Sequence, residues 1–178
     1  MIHNTIRGAS KRIGVLKPLQ TIKAFFSGPE KATVIQHIPQ NPRNPFYTII
    51  PKALQKLGWT CIIFDDHTKL KVMLRDSQRK RIIHFHQLEP YYHSATGDRD
   101  ETSQRAALLL QDIVEFKQLG AILVWTKHNP LPHNRQFEDI DRKFIQDVVE
   151  LMDHIVVLGE YAKTCMEQYA DAESSGSK

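Results

Sequence analysis

The run AILVWT, residues 121–126, constrains this chain more than any other stretch. A strand with one wet face alternates apolar and polar side chains. One that is apolar at nearly every position is covered on both faces, the pattern of a strand inside a parallel sheet. Parallel neighbours cannot be joined by tight hairpins, so each connection needs a crossover, usually a helix. The rest of the chain is therefore expected to alternate strands with helices, and it does.

KATVIQHI, residues 31–38, reads as a first strand. PQNPRNP follows, and three prolines in seven residues cannot join a ladder or a helix interior. Asn44 and Pro45 then read as N-cap and first helical residue of FYTIIPKALQKLG, closed by Gly58. Pro51 is expected to kink that helix or to delay its start to residue 51. WTCIIFDD is a second strand, and KLKVMLR a minor edge strand before the polar turn DSQRK. RIIHFH is another strand, entering QLEPYYHS.

The most regular helix is expected from about Glu101 to Leu119, with Ala106, Leu109, Leu110, Ile113 and Phe116 at helical spacing and Gly120 closing it. After AILVWT, the loop KHNPLPHNRQ leads to the helix EDIDRKFIQDVVELM, whose early acids suit its N-terminus. DHIVVLG is a last strand and EYAKTCMEQYA a last helix. The order gives an α/β chain with a parallel sheet and helices on both faces. Residues 1–30 read as a basic N-terminal extension, 31–170 as a single domain, and 171–178 as a disordered tail.

The 178 residues, 41% hydrophobic and 25% charged, are enough for one domain with a sizeable core. No apolar run approaches the roughly 20 residues that span a bilayer, and no secretory leader is visible. Two cysteines exclude a disulfide framework and a four-cysteine zinc site, and a reducing cytoplasm is expected. The net charge of +4 is concentrated in residues 1–29, where Arg7, Lys11, Arg12, Lys17 and Lys23 meet no acid. Such a segment could touch nucleic acid, or anionic lipid at the inner face of a membrane, or remain a solvated extension. The body of the chain has no basic bias pointing to nucleic acid.

In open parallel sheets, ligands bind outside the carboxyl ends of the strands. Three loops rich in His, Asn, Tyr and Arg are expected there: PQNPRNP, QLEPYYHS and KHNPLPH. His128, just past a buried strand, is the leading candidate for hydrogen bonding or proton exchange near neutral pH. Asn129 and His133 accompany it, and Arg43 with Asn44 could hold an anion. His84 and His86 share a strand face by their period of two. With His93, His128 and His133 they could form a metal cluster, although the spacing matches no zinc signature and no metal is expected. Phe46, Tyr47, Tyr91, Tyr92, Leu131 and Phe137 in these loops are expected to form an exposed wall for a partner. No P-loop, GxSxG elbow or GxGxxG follows any strand.

GAILVWTKHNPLPHN, followed by an acidic helix and DHIVVLGEYAK, resembles the N-terminal Rossmann-like domain of retaining bacterial glycosyltransferases of family 4. Many of these carry a strand ending in T-x-H-N-x-x-P-H, matched by Thr126, His128, Asn129, Pro132 and His133. NPFYTIIPKALQKLGW looks like their Asn-Pro-aromatic helix, with Leu54 and Gly58 in place. The order of elements agrees over about residues 31–170, and the specific part lies at 120–160.

The resemblance implies one half of a two-Rossmann-domain enzyme, the half that binds a glycan or lipid-linked acceptor. His128 would face the donor sugar, with Arg43, Asn44, His86, Asn129 and His133 as substrate-binding residues. A nucleotide sugar is the implied donor substrate, and no cofactor is expected. The family's C-terminal donor-binding domain, with its paired glutamates, has no counterpart in these 178 residues, so a second domain or subunit is implied as partner. The family's glycine-rich first loop is replaced here by PQNPRNP, which leaves the acceptor open. A non-catalytic sugar- or lipid-binding module is the alternative, and a histidine-based metallohydrolase the third reading.

Overall fold

The computed structural model of the chain describes residues 12–15, 33–37, 46–64, 67–75, 81–127, 129, 132, 136–157 and 159–171. Six strands form one sheet: β1 (Arg12–Val15), β2 (Thr33–His37), β3 (Thr60–Phe64), β4 (Arg81–Phe85), β5 (Ile122–Lys127) and β6 (His154–Val157). Their spatial order is β1-β6-β5-β4-β2-β3, and every neighbouring pair is parallel. Between them run α1 (Phe46–Lys56), α2 (His67–Arg75), α3 (Glu89–Tyr92), α4 (Arg99–Gln118) and α5 (Glu138–Leu151), with α6 (Glu160–Asp171) last. No helix of the described residues is long and apolar enough to cross a membrane.

Period-two alternation divides each central strand between two cores. Ile83 and Phe85 of β4, Leu123 and Trp125 of β5, and Ile155 and Val157 of β6 pack under α2, α4, α5 and α6. Ile82 and Val124 point the other way, against Ile50 and Leu54 of α1. The expectation that β5 is covered on both sides therefore holds. α1 and α4 both end in a Schellman motif. Trp59 N donates to Leu54 O at 3.1 Å and Gly58 N to Gln55 O at 2.9 Å, as Ala121 N does to Phe116 O at 3.1 Å and Gly120 N to Lys117 O at 3.0 Å. Gly58 and Gly120 both sit at φ +82°, where a side chain is strained.

Three details differ from the expectations. KLKVMLR is not an edge strand but most of α2. Leu70 and Leu74, four residues apart, are buried beneath α4, while Val72 between them is 62% exposed. A strand would put 70, 72 and 74 on one face, and a helix separates 72 from the other two. Lys71 reaches Asp112 at 2.6 Å and Glu115 at 2.7 Å on α4, which fixes the register of the two helices.

The second difference is that α1 begins at Phe46 and runs through Pro51. An interior proline costs roughly 3 kcal/mol. Burial of Ile50 and Leu54 on either side, at about 1.5–3 kcal/mol each, outweighs that penalty. The third is β1, which lies inside the segment read as an extension. Arg12–Val15 pairs with His154–Val157, so part of that segment belongs to the sheet. Of residues 171–178, read as a disordered tail, Asp171 is the last residue of α6, and 172–178 lie outside the described residues.

The helical assignment of α2 has a direct test. Val72→Asp should change stability by no more than about 0.5 kcal/mol, and Leu74→Ala should cost about 2–5 kcal/mol. Urea unfolding of both variants measures this; equal losses would favour the strand.

Candidate functional site at the carboxyl edge of the sheet

From β2 the chain passes to the edge strand β3, then crosses back over β2 to reach β4. Connections thus leave the adjacent strands β2 and β4 in opposite directions. Such a reversal opens a crevice at the carboxyl ends, the usual ligand position in sheets of this kind. Of the residues singled out in the sequence, His86 and Asn129 lie in the described part. Arg43, Asn44, His128 and His133 fall outside it. His86 follows directly on β4, beside the reversal, and Asn129 is half-buried two residues past β5.

His84 and His86 do share a face. Their ring centroids are 4.3 Å apart, and both are buried. His84 Nε2 lies 2.8 Å from Thr126 Oγ1 on the neighbouring strand. His93 belongs to the opposite side of the sheet, where Tyr92 beside it joins the core under α4 and α5. The grouping of His84, His86 and His93 is thereby excluded. Among the described residues no set of three His, Cys, Asp or Glu side chains is arranged to hold a metal ion.

On the α4/α5 side, two polar clusters meet at the end of β5. Lys127, whose side chain is 4% exposed, donates to Glu89 Oε1 at 2.6 Å. Its ammonium also stands 4.9 Å from the centre of the Trp125 ring, two residues back on the same strand face. Glu89 Oε2 accepts from Leu88 N at 3.1 Å. Burial pushes the Glu89 carboxyl up, but the Lys127 charge and these hydrogen bonds outweigh it. The net result is a group held below its ordinary value of 4.5.

The second cluster centres on Asp141 in the first turn of α5, which is fully buried. Its Oδ1 accepts from the Tyr92 hydroxyl at 2.7 Å and lies 2.7 Å from His93 Nε2. Burial first, and then the bond to Asp141, raise the Tyr92 phenol far above its ordinary range, so it remains a donor. The His93 ring stands edge-on to Tyr92 with centroids 4.6 Å apart. The stretch that follows is tied down as well. Ser94 N donates to Thr102 Oγ1 at 3.0 Å, Ser94 Oγ donates to Glu101, and Asp98 caps α4 by accepting from Glu101 N at 2.7 Å.

The expected aromatic wall is only partly there. Tyr92 is a core residue at 1% exposure, and Tyr91 packs partly buried against the same core. Phe137 is half-buried with the Arg99 guanidinium 5.5 Å above its ring. The side chains of Phe46 and Tyr47, and Leu131 altogether, lie outside the described residues.

Sequence reasoning missed Lys127 and misread Asp141. Asp141 was grouped with the acids that suit a helix N-terminus, yet it lies on the same helix face as Phe144, Ile145 and Val148, all buried. A carboxylate on an apolar stripe needs a buried partner, and that was the available signal. Lys127 offered a similar one, as the next residue of a strand whose preceding positions are all apolar or small. In comparison with known proteins, no family model matches the chain, and no curated protein or solved structure matches it either.

Removing Glu89 should expose what the ion pair does. Glu89→Gln strands the Lys127 ammonium and should cost about 3–5 kcal/mol, whereas Glu89→Leu with Lys127→Met should come within about 1 kcal/mol of wild type or exceed it. The pH dependence follows from the depressed carboxyl. Its contribution is complete above the ordinary 4.5 and is lost as pH falls through the lower folded value. Urea unfolding between pH 7 and pH 3 should show that acid-labile component in wild type and not in Glu89→Gln.

Proposed function

We propose that this chain is the acceptor-binding, N-terminal half of a glycosyltransferase, moving sugar from a nucleotide sugar to a glycan or lipid-linked acceptor. One observation supports the reading above the others. The strand order reverses at β2 and β4, so the loops after β2, β4 and β5 leave one sheet edge. These are the loops that contain PQNPRNP, HQLEPYYHS and TKHNPLPH. The sheet is in this reading Rossmann-like, one of two such halves, and the donor site belongs to a C-terminal domain or subunit outside these 178 residues. The nucleotide sugar is a substrate, and the chemistry calls for no cofactor.

His128, immediately after β5, is the residue that faces the donor sugar. Arg43, Asn44, His86, Asn129 and His133 approach from the acceptor side. His86 does so from a buried position, through the floor of the crevice rather than as an exposed group. The five positive charges of residues 1–29 would hold the chain against an anionic membrane surface on the cytoplasmic side, where a lipid-linked acceptor is presented.

The test is reconstitution. Alone, the chain should transfer no sugar; combined with a candidate C-terminal donor-binding domain, it should transfer label from a nucleotide sugar to a glycan acceptor. In that assembly His128→Ala should lower turnover by one or more orders of magnitude with folding preserved. Sugar binding without transfer in any such combination would favour a non-catalytic binding module. Wild-type turnover in His128→Ala would remove that residue from the site.

A further inference from the structure

His93 is presented as a receptor for a hydroxyl group. Asp141 Oδ1, as a carboxylate oxygen, can only accept, so the proton between it and His93 belongs to Nε2 of the ring. The other oxygen, Oδ2, is buried without a partner among the described residues. Tyr92 and His93 are thus the two donors on which the buried carboxylate depends, and turning the ring over would strand it. In the neutral ring this leaves Nδ1 with a lone pair. Nδ1 makes no hydrogen bond to a described residue, and the His93 side chain keeps 14% of its surface exposed against 1% for Asp141. One nitrogen is fixed inside and the other is offered outward, by a buried acid that does not itself reach the surface.

The placement matches a ligand role. His93 lies in the connection that leaves β4, one of the two strands at the reversal, and Asp141 lies in the first turn of the helix that follows β5. The pair therefore ties the connection after β4 to the helix after β5. Tyr92 fixes the ring from the side, and the bonds of Ser94 and Thr102 fix the backbone just after it. A rigid, single acceptor atom of this kind selects a donor, and the donors a sugar offers are its hydroxyls.

Resting on the reading of this chain as an acceptor half, we propose that His93 Nδ1 accepts a hydrogen bond from a hydroxyl of the acceptor sugar. Asp141 acts as the positioning residue that sets the tautomer. The contact is a binding contact and requires no proton transfer.

The experiment uses the whole chain with ¹⁵N-labelled imidazoles and a panel of neutral disaccharides (cellobiose, maltose, lactose and gentiobiose) as probes. Expected are an Nε2–H tautomer for His93 in the free chain and a selective shift of its Nδ1 signal on titration. The informative variant is His93→Gln, because its amide nitrogen can occupy the place of Nε2 and keep the bond to Asp141 while no acceptor remains where Nδ1 was. It should melt like wild type and bind the disaccharide on the order of tenfold more weakly, the scale of one lost hydrogen bond. Asp141→Leu, which leaves no acceptor opposite Nε2, should release the ring from the Nε2–H tautomer and weaken binding although His93 is intact, a change that a packing role alone would not produce.

Disaccharide binding with a static Nδ1 signal and wild-type affinity in His93→Gln overturns the proposal and leaves the acceptor reading standing. An Nδ1–H tautomer in the free chain also overturns it. If no disaccharide of the panel binds wild type, the acceptor reading fails and this contact fails with it.

Discussion

The structure turns on the last two residues of β5. The strand is buried on both faces, and alternation sends Thr126 to one side and Lys127 to the other. Neither can reach water, so each must be met by a polar group from within the fold. Thr126 is met by His84 across the β4–β5 ladder, and Lys127 by Glu89 at the start of α3. The first bond stays inside the sheet. The second fixes an element outside it, because a four-residue helix has too little surface to position itself by burial alone. What α3 carries, Glu89 at one end and Tyr92 at the other, is therefore placed relative to β5 before any loop conformation enters.

From that anchor the second cluster follows geometrically. Tyr92 is one turn beyond Glu89, so with Glu89 held to Lys127 its ring descends into the core between α4 and α5. Its hydroxyl then needs an acceptor in that interior, and Asp141 supplies it from the apolar face of α5. His93, leaving the helix with extended backbone, completes the group from the solvent side. One buried carboxylate, one partly buried carboxylate and one buried ammonium in one corner of a small fold are electrostatically expensive, yet the hydrogen bonds are distributed so that each charge has a donor or a counterion. The arrangement couples three elements, β5, α3 and α5, that differ in sequence position by up to about fifty residues.

The general architecture was legible because burial on both faces leaves an unmistakable mark. ILVW, RIIHF and HIVV are dense in apolar and β-branched residues, and the helix from Arg99 to Gln118 shows its stripe in Ala106, Leu109, Ile113 and Phe116. KLKVMLR was not legible from its own period, since Leu70, Val72 and Leu74 satisfy alternation and helical spacing over so short a run. The parallel pairing of β3's neighbour β2 with β4 decides it, because the return crossover needs a helix. β1 was hidden for a different reason: four residues in a basic surrounding carry too little pattern, and their strand character comes from the exposed edge of β6. The candidate histidines were chosen as the pair His84 and His86 of one strand and as His93, His128 and His133 of the loops. Of those that the fold ties together, His93 and Tyr92 stand out in the sequence and Asp141 and Lys127 betray themselves by their apolar neighbours, but that they form one group with Glu89 emerges only from the fold.

A buried ion pair of this kind contributes little net stability, because desolvating two charges costs about as much as their attraction returns. Apolar side chains of similar volume at 89 and 127 would hold α3 against β5 at least as strongly. They would not, however, hold it at one position in the way a hydrogen bond does, since apolar contacts are non-directional. The 2.6 Å bond between Lys127 and Glu89, with the ammonium seated over Trp125, admits little displacement. Because His93 lies one residue past the end of that same four-residue helix, any slippage of α3 moves the imidazole away from Asp141 and breaks a bond only 2.7 Å long. The value of the pair thus lies in placement: it converts a four-residue helix, buried through Tyr92, into a fixed mount for the imidazole at the sheet's carboxyl edge.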